Sequence, residues 1–222
     1  MRNFLDSGGH FFVGLTKIAD FIILSILVMV FSLPVITIGP ALSAAYYVAL
    51  KEVKNEEGYV FKSFLKAFKQ NFRQGFIIEL ITFGAIGLIY YDITITYKWA
   101  HAEQSAFANM LFYTLVVFFV VIMAMIIYIF PMLAKFDNKT IKLLVNSLVM
   151  VMKHLLQTIM MVIINGVLAY MTFIYPPFIV FTLAMSLYIN AYILARIFNM
   201  YADPKIEEEK ESESDDFHID MQ

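Results

Sequence analysis

The chain has 222 residues, 61% of them hydrophobic and 15% charged, with a formal net charge of −2. A soluble domain averages roughly 45–50% apolar and about 25% charged, so soluble, disordered and collagen-like chains are excluded. The absence of cysteine also excludes a disulfide scaffold, a thiol nucleophile and a cysteine-ligated metal site, leaving an all-α integral membrane protein.

A charge at the bilayer centre is expensive and rare, so charge-free runs mark the membrane spans. The first run covers the thirty residues between Asp20 and Lys51 and breaks at Pro34 and again at Gly39-Pro40. A span needs roughly 20 residues, which predicts one span near 16–38. The apolar stretch from Ala41 is too short to cross and predicts a re-entrant or interfacial helix near 41–55. A second span is expected near 76–97, with Glu79 towards one end and Asp92 towards the other. A third is expected near 106–132. Pro176-Pro177 is a turn signal that divides the last charge-free run into spans near 155–174 and 178–199. The expectation is five transmembrane helices within residues 1–202. Asp6 and Asp20 ahead of the first apolar run, and the distance of that run from the start, argue against a cleaved signal peptide.

Between the spans lie two basic amphipathic segments. In FKSFLKAFKQNFRQG, Phe61, Phe64, Leu65, Phe68 and Phe72 fall on one helical stripe, with Lys62, Lys66, Lys69 and Arg73 opposite. Such a helix near 60–74 either lies in the membrane interface, drawn by anionic headgroups, or packs its stripe on its own bundle. Pressed against lipid, it offers no second surface for a nucleic acid. A weaker copy is expected near 139–153, where Ile141, Leu144, Val145, Leu148 and Met152 form the stripe. Each copy follows a span that ends near a proline, Pro34 or Pro131, which raises the alternative of two same-orientation halves.

Lysine and arginine collect in 51–73 and in 135–153, while the loop 92–103 has only Lys98 and the loop around Pro176 has none. The positive-inside rule places both basic segments in the cytoplasm, giving an N-out, C-in topology in the plasma membrane. Tyr90, Tyr91, Tyr97, Trp99, Tyr170 and Tyr175 gather at the expected outer boundary as an aromatic belt. Residues 203–222 hold nine acids against two lysines, a composition expected to form a disordered cytoplasmic tail. The near-neutral total charge thus averages a basic inner face and an acidic tail.

An ionisable residue inside a membrane is a functional candidate. Glu79 lies six residues beyond Arg73, about 9 Å along a helix, and Arg196 and His154 are expected at similar depth. A Glu79–Arg196 ion pair is expected to keep both charges off lipid. Asn165 and Asn190 read as interhelical hydrogen-bonding groups. In Pro34…Thr37…Gly39-Pro40, the first proline ends the span, the Thr37 hydroxyl serves freed backbone groups, Gly39 permits a positive φ, and Pro40 opens a new helix. No motif for hydrolysis, nucleotide binding or metal ligation is present, which argues against an enzyme, a cofactor or a metal.

The stretch SLPVITIGPALSAAYYVALKEV, followed by EEGYVFKSFLKAFKQNFRQGF and later by PMLAKFDN, resembles the YesL family of Gram-positive membrane proteins. Ser25 and Val28 stand where many relatives carry Asn and Trp. The resemblance implies no established activity. It does imply an association with carbohydrate uptake systems, and hence an accessory role beside a carbohydrate ABC permease. The alternative is a small transporter or channel, acting alone or as a homo-oligomer.

Overall fold

A computed structural model of the chain describes residues 2–54, 59–103 and 105–201, with side chains described from Thr16 onward except at Glu103. The expected acidic tail at 203–222 lies outside the described residues. All regular structure among the described residues is helical. It comprises α1 (Arg2–Phe31), a 3-10 turn (Val35–Thr37), α2 (Ile38–Val53), α3 (Val60–Glu103), α4 (Ala106–Lys135), α5 (Thr140–Lys153), α6 (Leu155–Ile174), a second 3-10 turn (Pro176–Phe178) and α7 (Ile179–Asn199).

Four helical segments among the described residues are long and apolar enough to cross a membrane, namely α3, α4, α6 and the segment Pro176–Asn199 containing α7. Their outward faces carry large apolar side chains, among them Leu88, Val117, Phe118, Ile163 and Phe173, all exposed. In water this surface would aggregate. In lipid it is solvated, which identifies a multi-pass membrane protein. The turn at Pro176-Pro177 stands where the sequence puts it, and α6 and α7 pair across it through a Thr172–Thr182 hydroxyl hydrogen bond of 2.6 Å.

Three boundaries differ from expectation. First, α1 stops at Phe31 rather than near 38, because Pro34 disfavours helical backbone at the residue before it. Second, the basic segment near 60–74 and the span near 76–97 are one uninterrupted 44-residue helix, α3. A lone glycine costs a helix only about 1 kcal/mol, so Gly75 does not divide them. Third, Pro131 lies inside α4, which runs on to Lys135. The second amphipathic segment does separate, because α5 ends at Lys153 and His154 leaves helical geometry at φ −113°, ψ 44°. The two segments are therefore not equivalent. Nor does anything between α4 and α5 correspond to α2, which weakens the reading of two repeated halves.

The centre of the fold is α2. Expected as a re-entrant or interfacial helix, it is enclosed by α1, α3, α4 and α7, with Ala41, Ala44, Ala45 and Ala49 all fully buried. Small residues let helix backbones approach closely without a hydrophobic drive between helices, and the run PALSAAYYVAL supplies them. α2 runs antiparallel to the first turns of α3: Gly39 meets Gly75, and the Asn71 amide donates to the Ser43 hydroxyl at 3.1 Å. Further along, α3 pairs with α4, bringing Tyr97 to Phe112 and Trp99 to Phe107.

The middle of the aromatic stripe of α3 packs on its own bundle, while Phe61 and Phe72 are exposed. Phe31 meets Phe64 and Phe68 edge-on with ring centroids 5.3 and 5.0 Å apart, and Phe68 continues to Phe72. Lys62, Lys66, Lys69 and Arg73 face outward. Ser25 and Val28 both face the core, Ser25 satisfying its hydroxyl on the Phe21 carbonyl of its own helix.

The contact of Gly39 with Gly75 sets the spacing of α2 and α3. A Cβ on Gly39 would lie 2.7 Å from the Gly75 carbonyl oxygen and 2.9 Å from the Phe130 ring, while one on Gly84 would meet nothing within 4 Å. Gly39→Ala is expected to lower stability by about 1–3 kcal/mol, as overpacking does, and Gly84→Ala, with open space around it, to raise it by up to about 1 kcal/mol through helix propensity. Thermal unfolding of the two variants in mild detergent checks the contrast.

Candidate functional site

The helix break and the intramembrane carboxylate meet in space. After α1 ends, the Thr37 hydroxyl donates to the carbonyls of Phe31 (2.5 Å) and Pro34 (2.7 Å), serving backbone groups freed at the break as expected. Thr37 also holds the N-cap position of α2, but its side chain makes no cap hydrogen bond there. The first turn of α2 must find acceptors elsewhere, because an unpaired buried N–H costs about 1–3 kcal/mol.

Each N–H of that turn is accounted for. Ile38 donates back to the Val35 carbonyl within the 3-10 turn. Pro40 has no N–H to satisfy. Gly39 donates to Oε2 of Glu79 on α3 at 3.0 Å, a bond between residues forty apart in sequence. Glu79 thus caps α2 from another helix, its charge favourably placed at a helix N-terminus.

Gly39 is helical and does not adopt a positive φ. Its missing side chain serves close approach to Gly75 and exposes the N–H to the carboxylate. Gly75 is the residue that sequence reasoning overlooked. A Cβ there would sit 3.0 Å from both N and Cα of Pro40, yet nothing local in QNFRQGF signals which helix it will meet.

The expected Glu79–Arg196 pair does not form. Glu79 is 3% exposed and engaged by the Gly39 amide, whereas Arg196 is exposed on α7. The backbone N–H that α2 presents replaces the guanidinium, and a long arginine at the end of a span carries its charge out to the interface. Oε1 of Glu79 is buried with no hydrogen-bond partner.

The two asparagines do meet. Nδ2 of Asn165 on α6 donates to Oδ1 of Asn190 on α7, and the reverse bond is also made, both at 3.1 Å. Ser186 donates to Oδ1 of Asn165 at 2.5 Å, and Asn190 reaches the Tyr46 hydroxyl of α2 at 3.4 Å. Asn165 also donates to the Met161 carbonyl. The cluster ties the α6–α7 hairpin to the central helix, the arrangement expected of interhelical hydrogen-bonding groups. Tyr46 and Ser186 were not singled out from the sequence, although their hydroxyls complete the network. A second tie, equally unforeseen, joins Tyr128 of α4 to Thr158 of α6 at 2.8 Å.

His154 adjoins the second tie through its backbone, its carbonyl accepting from the Thr158 hydroxyl at 2.9 Å. It marks the break between α5 and α6, and its Nε2 lies 3.0 Å from the Tyr201 hydroxyl just past α7. Nearby, Nζ of Lys135 donates to Asn199 at 3.2 Å, so the ends of α4, α5 and α7 are held together. Among the described residues no group of three or more His, Asp or Glu is arranged to hold a metal.

Substitutions at Glu79 separate its charge from its hydrogen bond. Glu79→Gln keeps a side-chain oxygen for the Gly39 N–H and is expected to fold nearly as well as the parent. Glu79→Leu leaves that N–H orphaned and is expected to lose about 1–3 kcal/mol. Unfolding midpoints in the same detergent measure the difference.

Neither a curated protein nor a solved structure matches the chain. Residues 21–93 match the family described as "Protein of unknown function, DUF624". That stretch contains the break, α2, Gly75 and Glu79, the parts that build the capped helix. DUF624 is the YesL-like family, so the match over residues 21–93 is consistent with the resemblance carried by the motif SLPVITIGPALSAAYYVALKEV.

Proposed function

We propose that this protein is a non-enzymatic accessory or regulatory component of a carbohydrate ABC-type uptake system in the plasma membrane. In this reading α1 is a fifth span beside the four apolar segments, the N-terminus faces out, and the C-terminus and the basic faces of α3 and α5 face the cytoplasm. The observation that carries it is the use made of the intramembrane polar groups. Asn165, Asn190, Ser186 and Tyr46 bond mainly to one another, and Tyr128 bonds to Thr158. They hold helices together, while the large apolar faces of α3, α4 and α6 are left for lipid or for the helices of a partner. The link to carbohydrate uptake comes from the YesL-like stretch and what that resemblance implies.

One observation favours the second reading, a small transporter. Oε1 of Glu79 is buried and without a partner, which is how a carboxylate that takes up a proton or a cation is placed.

The chain contains no cysteine, so single cysteines report topology against a blank background. Lys98→Cys is expected to react with a membrane-impermeant maleimide in intact cells, and Lys142→Cys only after permeabilisation. The opposite pattern overturns the orientation. Function is tested by purification in mild detergent and by reconstitution. An accessory role predicts that a permease co-purifies and that liposomes bearing the pure protein show no sugar flux. Flux that is lost in Glu79→Gln establishes the transporter instead.

A further inference from the structure

A polar groove of about 600 Å³ lies between α3 and the link from α4 to α5. It is lined by Gln70, Arg73, Gln74 and Ile77 on one wall and by Asp137, Asn138, Lys139 and Thr140 on the other. The walls are joined, since Nε2 of Gln74 donates to the Asn138 carbonyl at 2.6 Å. Arg73 and Lys139 are both exposed, and the one acid in the lining, Asp137, has a partner of its own. With the Gln74 amide engaged, the groove offers an anion two cations, the amide side chains of Gln70 and Asn138, and the Thr140 hydroxyl.

The surroundings of the groove define what kind of anion fits. Arg73, Ile77, Leu80 and Ile81 share one face of α3 at helical spacing. The three apolar residues are 39%, 65% and 45% exposed. The cationic groove therefore opens onto an apolar stripe at the point where α3 changes from basic to hydrophobic. A free anion has no use for the stripe, and an uncharged lipid has none for the cations. We propose that this groove is a discrete binding site for one anionic phospholipid. The phosphate is held by Arg73 and Lys139, with hydrogen bonds from Gln70 and Thr140, and the acyl chains lie along Ile77, Leu80 and Ile81. The site is distinct from a diffuse attraction of the whole basic face of α3, because it needs residues from two separate elements. It stands whether the protein is an accessory component or a transporter.

The test uses the full-length protein, delipidated in mild detergent, titrated with phosphatidylglycerol or phosphatidylcholine and read by native mass spectrometry. About one phosphatidylglycerol per chain is expected to be retained, with about tenfold preference over phosphatidylcholine. Arg73→Gln with Lys139→Gln is expected to weaken retention about tenfold. Lys62→Gln with Lys69→Gln removes the same charge from α3 outside the groove and is expected to change retention less than about twofold. Equal losses in the two double variants, or equal retention of the two lipids by the parent protein, overturn the proposal. Displacement of phosphatidylglycerol by millimolar inorganic phosphate also overturns it, by marking a site for free phosphate. All four residues are exposed, and unchanged elution of both double variants in gel filtration shows that folding is intact.

Discussion

A short helix that begins inside a membrane protein has backbone donors that water cannot reach, and the architecture of this chain depends on how those donors are satisfied. Thr37 stands where a capping side chain belongs but turns its hydroxyl to the end of α1. The duty passes to Glu79, forty residues on, which accepts from the Gly39 N–H. That contact requires α3 to run past the start of α2 at close range, and only glycine at 39 and 75 permits the range. A carboxylate that would be costly in lipid is tolerated because a helix N-terminus provides its counterpart.

Once α2 is seated, the other helices assemble around it. Its alanines accept α1, α3, α4 and α7 at short range, and Tyr46 offers a hydroxyl to Asn190. Lipid tails are as apolar as leucine, so helices gain little by merely covering one another. Close packing and a few interhelical hydrogen bonds carry the association instead. This accounts for the polar side chains that meet between helices, Asn165 with Asn190 and Tyr128 with Thr158.

Much of the helical layout was legible in the chain. Charge-free runs located α4, α6 and α7 to within a few residues, since burying a charge in lipid is costly wherever it occurs. The turn at Pro176-Pro177 followed from the chemistry of proline. The meeting of Asn165 with Asn190 was also within reach, because the two lie on adjacent spans joined by a short turn. Less legible was anything that depends on which helices touch. Glu79 was matched to Arg196 on expected depth, but depth does not tell which face of a helix points inward. Gly75 went unnoticed, because its use is tertiary and nothing local signals which helix it will meet. The stretch after Gly39-Pro40 read as too short to cross, hence re-entrant or interfacial, and nothing along it told that four other helices would enclose it.

The sequence by itself determined that this is a helical membrane protein and where its four long apolar helices lie. Those properties follow from the cost of transferring each residue out of water, and that cost can be counted along the chain. Only the tertiary structure decided that α2 is the hub, that Glu79 caps it, and that Arg73 and Lys139 face one groove. Those facts depend on the rotation and register of packed helices. Steric fit and the pairing of backbone groups set these, and neither can be evaluated before the partner helix is known.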